Sequence, residues 1–296
     1  MPVVQYGAVL TCIALLLPGS LAAQDAAASG AGDEGWFPSE FVVQPLTGAR
    51  SGIDVGTGPL YVRRDPPAGS GAHGPEADAS FGYRFPIYRF SDGGASDSGL
   101  DLGIEAGMIA RFALGEGRNG LINSDFRVAF PFGADFGRWE STLALVHVSS
   151  HAGDDFIDQT PGFEPRASSR NGVEGIIAYR ADRALRLFAR GDWNWAAVGL
   201  ETVGGRLGAL FDPGDDGGAR PVGSLELEVN DFNSGVGVTG MVGLGLRTGT
   251  GDVRLGLVGH AGPSDMGQFR AFDEEYVGLF LSLVPELAIA TDAPEI

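Results

Sequence analysis

The stretch from Trp139 to Asp155 constrains the fold most, because its residues alternate between two chemically different faces. The odd-numbered residues form one face, and they are Trp139, Ser141, Leu143, Leu145, His147, Ser149 and His151. The other face carries small or apolar residues from Thr142 to Ser150. A period of two is typical of a β-strand. An aromatic residue, an apolar band and a polar end, spread over about 20 Å, fit a strand that crosses a membrane.

Alternating segments recur along the chain, separated by Gly, Asp and Pro, and no amphipathic helix is long enough to interrupt them. We predict about twelve strands. Their ranges are 53–64, 79–90, 99–114, 122–135, 138–151, 171–181, 184–195, 205–211, 222–230, 238–248, 252–262 and 275–284. Tight turns mostly alternate with long polar connections, as they do in outer-membrane barrels. The sequence therefore predicts an all-β fold, an antiparallel transmembrane β-barrel, with a soluble periplasmic β-sandwich or half-barrel as the alternative.

The N-terminus has the layout of a secretory signal peptide, with an apolar run, a Pro-Gly break and a small-x-small cleavage site near Ala22. We therefore expect export through the periplasm, insertion by the barrel-assembly machinery, and a final location among outer-membrane lipids. The expected segments are a signal peptide at 1–23, a linker and extended lead-in at 24–50, the barrel at 51–284 and a C-terminal tail at 285–296.

Charge and cysteine usage exclude several classes of function. The chain has 38 acidic and 20 basic residues and a formal net charge of −18, so nucleic acid is not an expected partner. All the basic residues are Arg. The single cysteine, Cys12, lies in the predicted signal peptide, so we expect no disulfide and no thiolate-bound metal in the mature protein.

His147 and Ser149 are the candidates for chemistry, because they project from the same face of one strand about 6 to 7 Å apart. A hydroxyl near an imidazole is the usual pairing of nucleophile and general base. A third group would orient the base, and the candidates are Asp154, Asp155 and Glu174. A lipid-facing pair of this kind predicts acyl transfer from a lipid ester. The alternative is that both are interfacial polar residues without catalytic function.

Metal binding is a second hypothesis for the same region, since two histidines and three aspartates lie within twelve residues. His147 and His151 would lie about 13 Å apart on a regular strand, too far to share an ion. Asp154, Asp155 and Asp158 offer the hard oxygen ligands that Ca²⁺ prefers, so calcium is the possible cofactor. The alternative is a solvated acidic loop.

The His-x-Ser pattern at His147 to Ser149 resembles the one found on a barrel strand in outer-membrane phospholipase A and in lipid A 3-O-deacylase. Both are hydrolases whose sites face the outer leaflet. This local resemblance implies hydrolysis of phospholipid or lipid A acyl esters, with Ser149 as nucleophile and His147 as base.

A longer resemblance is to the uncharacterised bacterial family called domain of unknown function 1207. Three separated motifs support it: Phe126-Arg-Val-Ala-Phe-Pro131, the stretch His147 to Asp155, and Gly267-Gln-Phe269. The resemblance runs from about residue 45 to 284 and implies an outer-membrane barrel, without an established activity.

Two classes of function therefore remain open, a lipid-ester hydrolase and a non-enzymatic barrel acting as a pore, transporter or envelope scaffold. A hydrolase needs His147 and Ser149 on the outer wall, whereas a pore needs charged side chains in an open lumen. The alternation of the strand predicts that both residues face outward.

Overall fold

The computed structural model describes residues 35–38, 41–43, 46, 55–64, 73–90, 99–114, 120–214, 218–248 and 251–285. The predicted signal peptide lies outside these residues, as do most of the linker and all but the first residue of the C-terminal tail. Among the described residues, no helix has the length and apolar composition that a membrane-spanning helix requires.

Thirteen strands are described, and twelve of them close into an antiparallel barrel. They are β1 (Gly35–Trp36), β2 (Val55–Arg64), β3 (His73–Phe90), β4 (Gly99–Ala113), β5 (Gly120–Phe136), β6 (Trp139–Ala152), β7 (Ser168–Arg180), β8 (Leu185–Val198), β9 (Val203–Phe211), β10 (Ala219–Asn230), β11 (Val236–Thr248), β12 (Gly251–Pro263) and β13 (Asp273–Pro285). Each strand from β2 onward pairs with the next along the chain, and β13 pairs with β2 to close the sheet. The short β1 adds to the far end of β3.

The predicted barrel and its number of strands are confirmed, and most strand ends agree to within three residues. The largest difference is β3, which begins at His73 rather than residue 79. The connection predicted at 152–170 contains a short helix, α1 (Asp154–Gln159).

The barrel wall presents large apolar side chains outward, because alternate residues of each strand point away from the lumen. Leu143 and Leu145 on β6 are exposed in this way, and Leu255 and Leu257 on β12 do the same. Aromatic pairs mark both ends of this apolar band. The rings of Trp139 and Tyr179 are 4.8 Å apart at one end, and Trp193 and Trp195 form a pair near the other. This surface is suited to contact with lipid.

The lumen is lined by arginine and carboxylate side chains that pair across strands. The pairs include Arg64–Glu76, Arg111–Glu274, Arg127–Glu105, Arg190–Glu174, Arg206–Glu228 and Arg220–Asp252. These groups satisfy one another's charge inside the barrel, as buried ions must.

The lead-in before the barrel also packs into the lumen. Val43 and Leu46 are buried, and Leu46 contacts a luminal cluster that includes Phe188. The backbone N–H of Val42 donates to the carboxylate of Asp101 at 2.5 Å. Val42, Val43 and Leu46 of this predicted lead-in are thus inside the barrel, at the end that carries the short turns.

The opposite end is covered by the β12–β13 connection, residues 264–272, which we call the plug loop. It contains a short 3₁₀ helix, Gly267–Phe269. Phe269 is fully buried and packs against Phe156 and Phe163 of the α1 connection and against Ile122 of β5. The two longest described connections therefore form one apolar cluster at this end.

Candidate functional site

The C-terminal end of β6, at the plug-loop end of the barrel, carries the candidate pair on its outward face. The side chain of His147 is exposed and that of Ser149 is half-buried, whereas Val146 and Ser150 are buried on the luminal side. The alternation predicted from the sequence is therefore observed without a bulge in β6. Two residues of extended strand separate the Cα atoms of His147 and Ser149 by about 6 to 7 Å.

An asparagine on the neighbouring strand holds the imidazole. Asn171 lies directly opposite His147 in the β6–β7 ladder, and its Oδ1 is 2.8 Å from His147 Nδ1. With the amide oxygen facing it, Nδ1 carries the proton of the neutral ring and donates it to this bond. Nε2 is then left with a free lone pair, which is the tautomer required of a general base.

Apolar side chains border the polar group on its other flank. Across β5, Phe126 is paired with Ser149 and Val128 with His147, and both apolar residues are exposed on the outer wall. The ring of His151 meets that of Phe126 edge-on, with 5.9 Å between centroids. The candidate nucleophile and base therefore lie at a boundary between polar and apolar surface, where the ester region of a lipid could approach.

Glu174, one of the three acids considered as the orienting group, lies on the other side of the wall. It is buried in the lumen, its Oε1 is 3.1 Å from Arg127 Nη2, and it also pairs with Arg190. Glu174 is opposite Ala144 in the ladder and so shares its luminal face. It therefore does not orient His147, and its contacts assign it to the interior ion pairs.

The three loop aspartates lie beyond the end of β6, in α1. Asp154, Asp155 and Asp158 are all exposed, and the Nδ1 bond for which Asp154 and Asp155 were candidates is made by Asn171. No group of three histidine, cysteine or acidic side chains that could hold a metal ion occurs within the described part of the chain. Asp154, Asp155 and Asp158, the predicted calcium ligands, are thus near one another in sequence but do not form a three-ligand group among the described residues.

Asn171 is the site residue that sequence reasoning missed. The predicted strand began at this residue, but its partner on β6 depends on the path of the connection 153–167. A register shift between Asn171 and Gly172 in the β7–β8 pairing further obscures the pattern. The sequence did offer one signal. Asn171 is an amide on the same face of the strand as the apolar residues Val173 and Ile177 that follow it.

The family model described as "Protein of unknown function (DUF1207)" matches residues 70–196. This match confirms the resemblance expected from the sequence, over a shorter range than 45–284. It contains His147, Ser149 and Asn171, and the motif that begins at Phe126. The Gly267-Gln-Phe269 motif lies outside it. A search of curated proteins gives no match to the chain.

Solved structures of outer-membrane phospholipase A share the fold. The Escherichia coli enzyme is 14% identical, with a TM-score of 0.55, over 78% of this chain and 96% of that one. An active-site asparagine-to-alanine mutant of it is 13% identical, with a TM-score of 0.54, over 83% and 96%. The Salmonella typhi enzyme, solved as a dimer with bound calcium, is 13% identical, with a TM-score of 0.54, over 79% and 92%. The chain thus has the fold of a bacterial outer-membrane barrel.

Proposed function

We propose that this barrel is a lipid-ester hydrolase of the outer membrane, in which Ser149 is the nucleophile, His147 the general base and Asn171 the residue that orients the base. The hydrogen bond of 2.8 Å between His147 Nδ1 and Asn171 Oδ1 carries this proposal. It holds the imidazole on the outer wall, on the same face of β6 as Ser149.

The reaction follows from these roles. His147 Nε2 removes the proton of Ser149 Oγ as that oxygen attacks the ester carbonyl carbon. The tetrahedral intermediate expels the alcohol, which takes the proton from the imidazolium, and an acyl-serine ester remains. His147 then removes a proton from water, which attacks the acyl carbon. The fatty acid leaves, and the proton returns to Ser149.

The structural neighbours support this assignment of roles. Both phospholipase A proteins catalyse a reaction on lipid, as their names state, and a mutant of one is described as lacking an active-site asparagine. In this chain an asparagine contacts the histidine of the His-x-Ser pattern. The apolar wall around the site favours phospholipid or lipid A in the outer leaflet as the substrate.

The contents of the lumen favour the hydrolase over a pore. Many of the inward-facing charged side chains are engaged in ion pairs between strands, such as Arg111 with Glu274. The lead-in and the plug loop occupy opposite ends. An open lumen lined by available charges is what a pore would need.

The test is release of fatty acid from mixed micelles of phospholipid and lipopolysaccharide by the refolded barrel. We expect Ser149→Ala to abolish release, while Ser141→Ala, on the same face of the same strand, keeps it within about 2-fold. The release assays of the wild type and of both variants are repeated with and without calcium. If it stimulates release, a triple variant with Asn at Asp154, Asp155 and Asp158 decides whether these residues hold it. Equal release by the wild type and Ser149→Ala would contradict the proposal.

A further inference from the structure

A single amide side chain on the luminal side of the candidate site joins β6 to the segment that leads into β7. Gln268 belongs to the plug loop and is 4% exposed. Its Nε2 donates to the carbonyl oxygen of Ser150 at 2.9 Å and to that of Arg166 at 2.8 Å. Its Oε1 accepts from the backbone N–H of Arg166 at 3.0 Å. All three polar contacts are to main-chain atoms.

The positions of these main-chain atoms give the contacts their significance. Ser150 directly follows Ser149 on β6, and Arg166 lies two residues before β7 begins. The pairing of Ser150 with Ser168 is the last in the β6–β7 ladder before the connection between the two strands. Gln268 therefore ties β6 to the segment entering β7 where their own pairing ends.

Gly267, the residue before Gln268, also contacts the end of β6 closely. The backbone N–H of Gly267 donates to Asp125 Oδ2 at 3.1 Å. A Cβ on Gly267 would lie 2.6 Å from both Cβ and Oγ of Ser150, so the plug loop approaches β6 as closely as a glycine allows. Asn123 links Asp125 to the Ser150 hydroxyl through two further hydrogen bonds. The luminal face behind Ser149 is thus held by a continuous polar network.

We propose that Gln268 is a positioning residue for the outward site. From the luminal side, it fixes the end of β6, with Ser149 and His147, relative to the start of β7, with Asn171. A displacement of about 1 Å between reacting groups can lower a rate by about 100-fold, so anchoring at this point bears directly on catalysis. The inference rests on the proposed hydrolase function.

Gln268→Glu is the test, because it preserves size but removes the two donated hydrogen bonds and places a carboxylate beside two carbonyl oxygens. Gln159→Glu, at the exposed end of α1, makes the same chemical change away from the plug loop. The measurements are the rate of Ser149 labelling by a fluorophosphonate probe, the kcat and KM for ester hydrolysis, and heat-modifiable migration as the sign of a folded barrel.

We expect Gln268→Glu to migrate as a folded barrel, to lose about 10-fold or more in labelling rate and kcat, and to keep KM within about 2-fold. Gln159→Glu should stay near the wild type in migration, labelling rate, kcat and KM. A folded Gln268→Glu variant labelled at the wild-type rate overturns the positioning role and leaves the hydrolase intact. A wild-type barrel that is neither labelled nor active overturns both proposals.

If Gln268→Glu does not fold, Gln268→Met is measured in the same way, since it is neutral and of similar length. A folded Gln268→Met variant with reduced labelling and kcat at unchanged KM supports the inference, and one with wild-type values overturns it. Failure of both variants to fold also overturns it, because Gln268 would then be required for the barrel itself.

Discussion

His147 and Asn171 face each other across two adjacent strands on the outer wall of the barrel, joined by a hydrogen bond of 2.8 Å. Neither residue is near the other in sequence, and the whole α1 connection lies between them. The backbone ladder alone brings them together. The candidate site is therefore a product of strand register rather than of a local motif.

Asn171→Ala should lower kcat by about 10-fold or more, because the imidazole loses the acceptor that fixes its tautomer and orientation. Binding of the lipid does not involve this bond, so we expect KM to change little. Steady-state kinetics in mixed micelles measure both quantities. Asn171→Asp, which retains an acceptor oxygen, should recover part of the loss. Wild-type kcat in a folded Asn171→Ala barrel would remove this residue from the site.

Glu174→Ala should destabilise the barrel by about 3 to 5 kcal/mol, because it leaves the buried Arg127 and Arg190 without this carboxylate. Urea unfolding in detergent or vesicles measures the change. Glu275 provides the control, since its pair with Arg63 is exposed and spans 3.6 Å. Its replacement by Ala should cost less than about 1 kcal/mol. Equal effects of the two substitutions would contradict the interior role of Glu174.

Glu201, in the connection between β8 and β9, should make stability depend on pH. Burial would raise the pKa of this carboxyl, but the neighbouring Arg270 and Arg170 lower it to about 2 from an ordinary value of 4.5. A lowered pKa in the folded state contributes stability above pH 4.5 that is lost as the pH falls towards about 2. The shift corresponds to about 3 kcal/mol.

The matching measurement compares unfolding of the wild type and Glu201→Gln between pH 2 and pH 7. The wild type should be more stable at neutral pH, and the difference should shrink through the acidic range. A constant difference across this range would show that ionisation of Glu201 does not contribute to the stability.

The contents of the lumen predict low conductance. Ion pairs between strands line the interior, Leu46 packs inside one end and Phe269 is buried in the apolar cluster at the other. In planar bilayers, we expect no stable stepwise conductance under conditions in which a general porin opens. A large, steady open-channel current from the folded wild-type barrel would instead favour the pore.

Much of this architecture follows from the sequence because a period of two is a local property. The alternation from Trp139 to His151 determines which side chains share a face, and it correctly placed His147 and Ser149 outward. Which residue lies beside His147 is a non-local property. It depends on the register of β7, which no residue of β6 determines, so Asn171 was missed and Glu174 was considered in its place.

The luminal contacts were also beyond local patterns. Gly267-Gln-Phe269 is one of the three motifs that resemble the family, yet nothing in those three residues indicates that Gln268 reaches Ser150, 118 residues away in sequence. The folding of the lead-in into the barrel was likewise invisible, because Val43 and Leu46 stand in a segment without a clear period. Closure of the sheet creates the enclosed space that both segments occupy.

The outward orientation of His147 determines which measure of lipid concentration governs its encounters with lipid. A group on the outer wall meets molecules that diffuse laterally within one leaflet, so its encounters scale with the mole fraction of a lipid in the plane rather than with its amount per volume of solution. Dilution of the membrane in water would leave such encounters unchanged, whereas dilution of a lipid by a second lipid would reduce them.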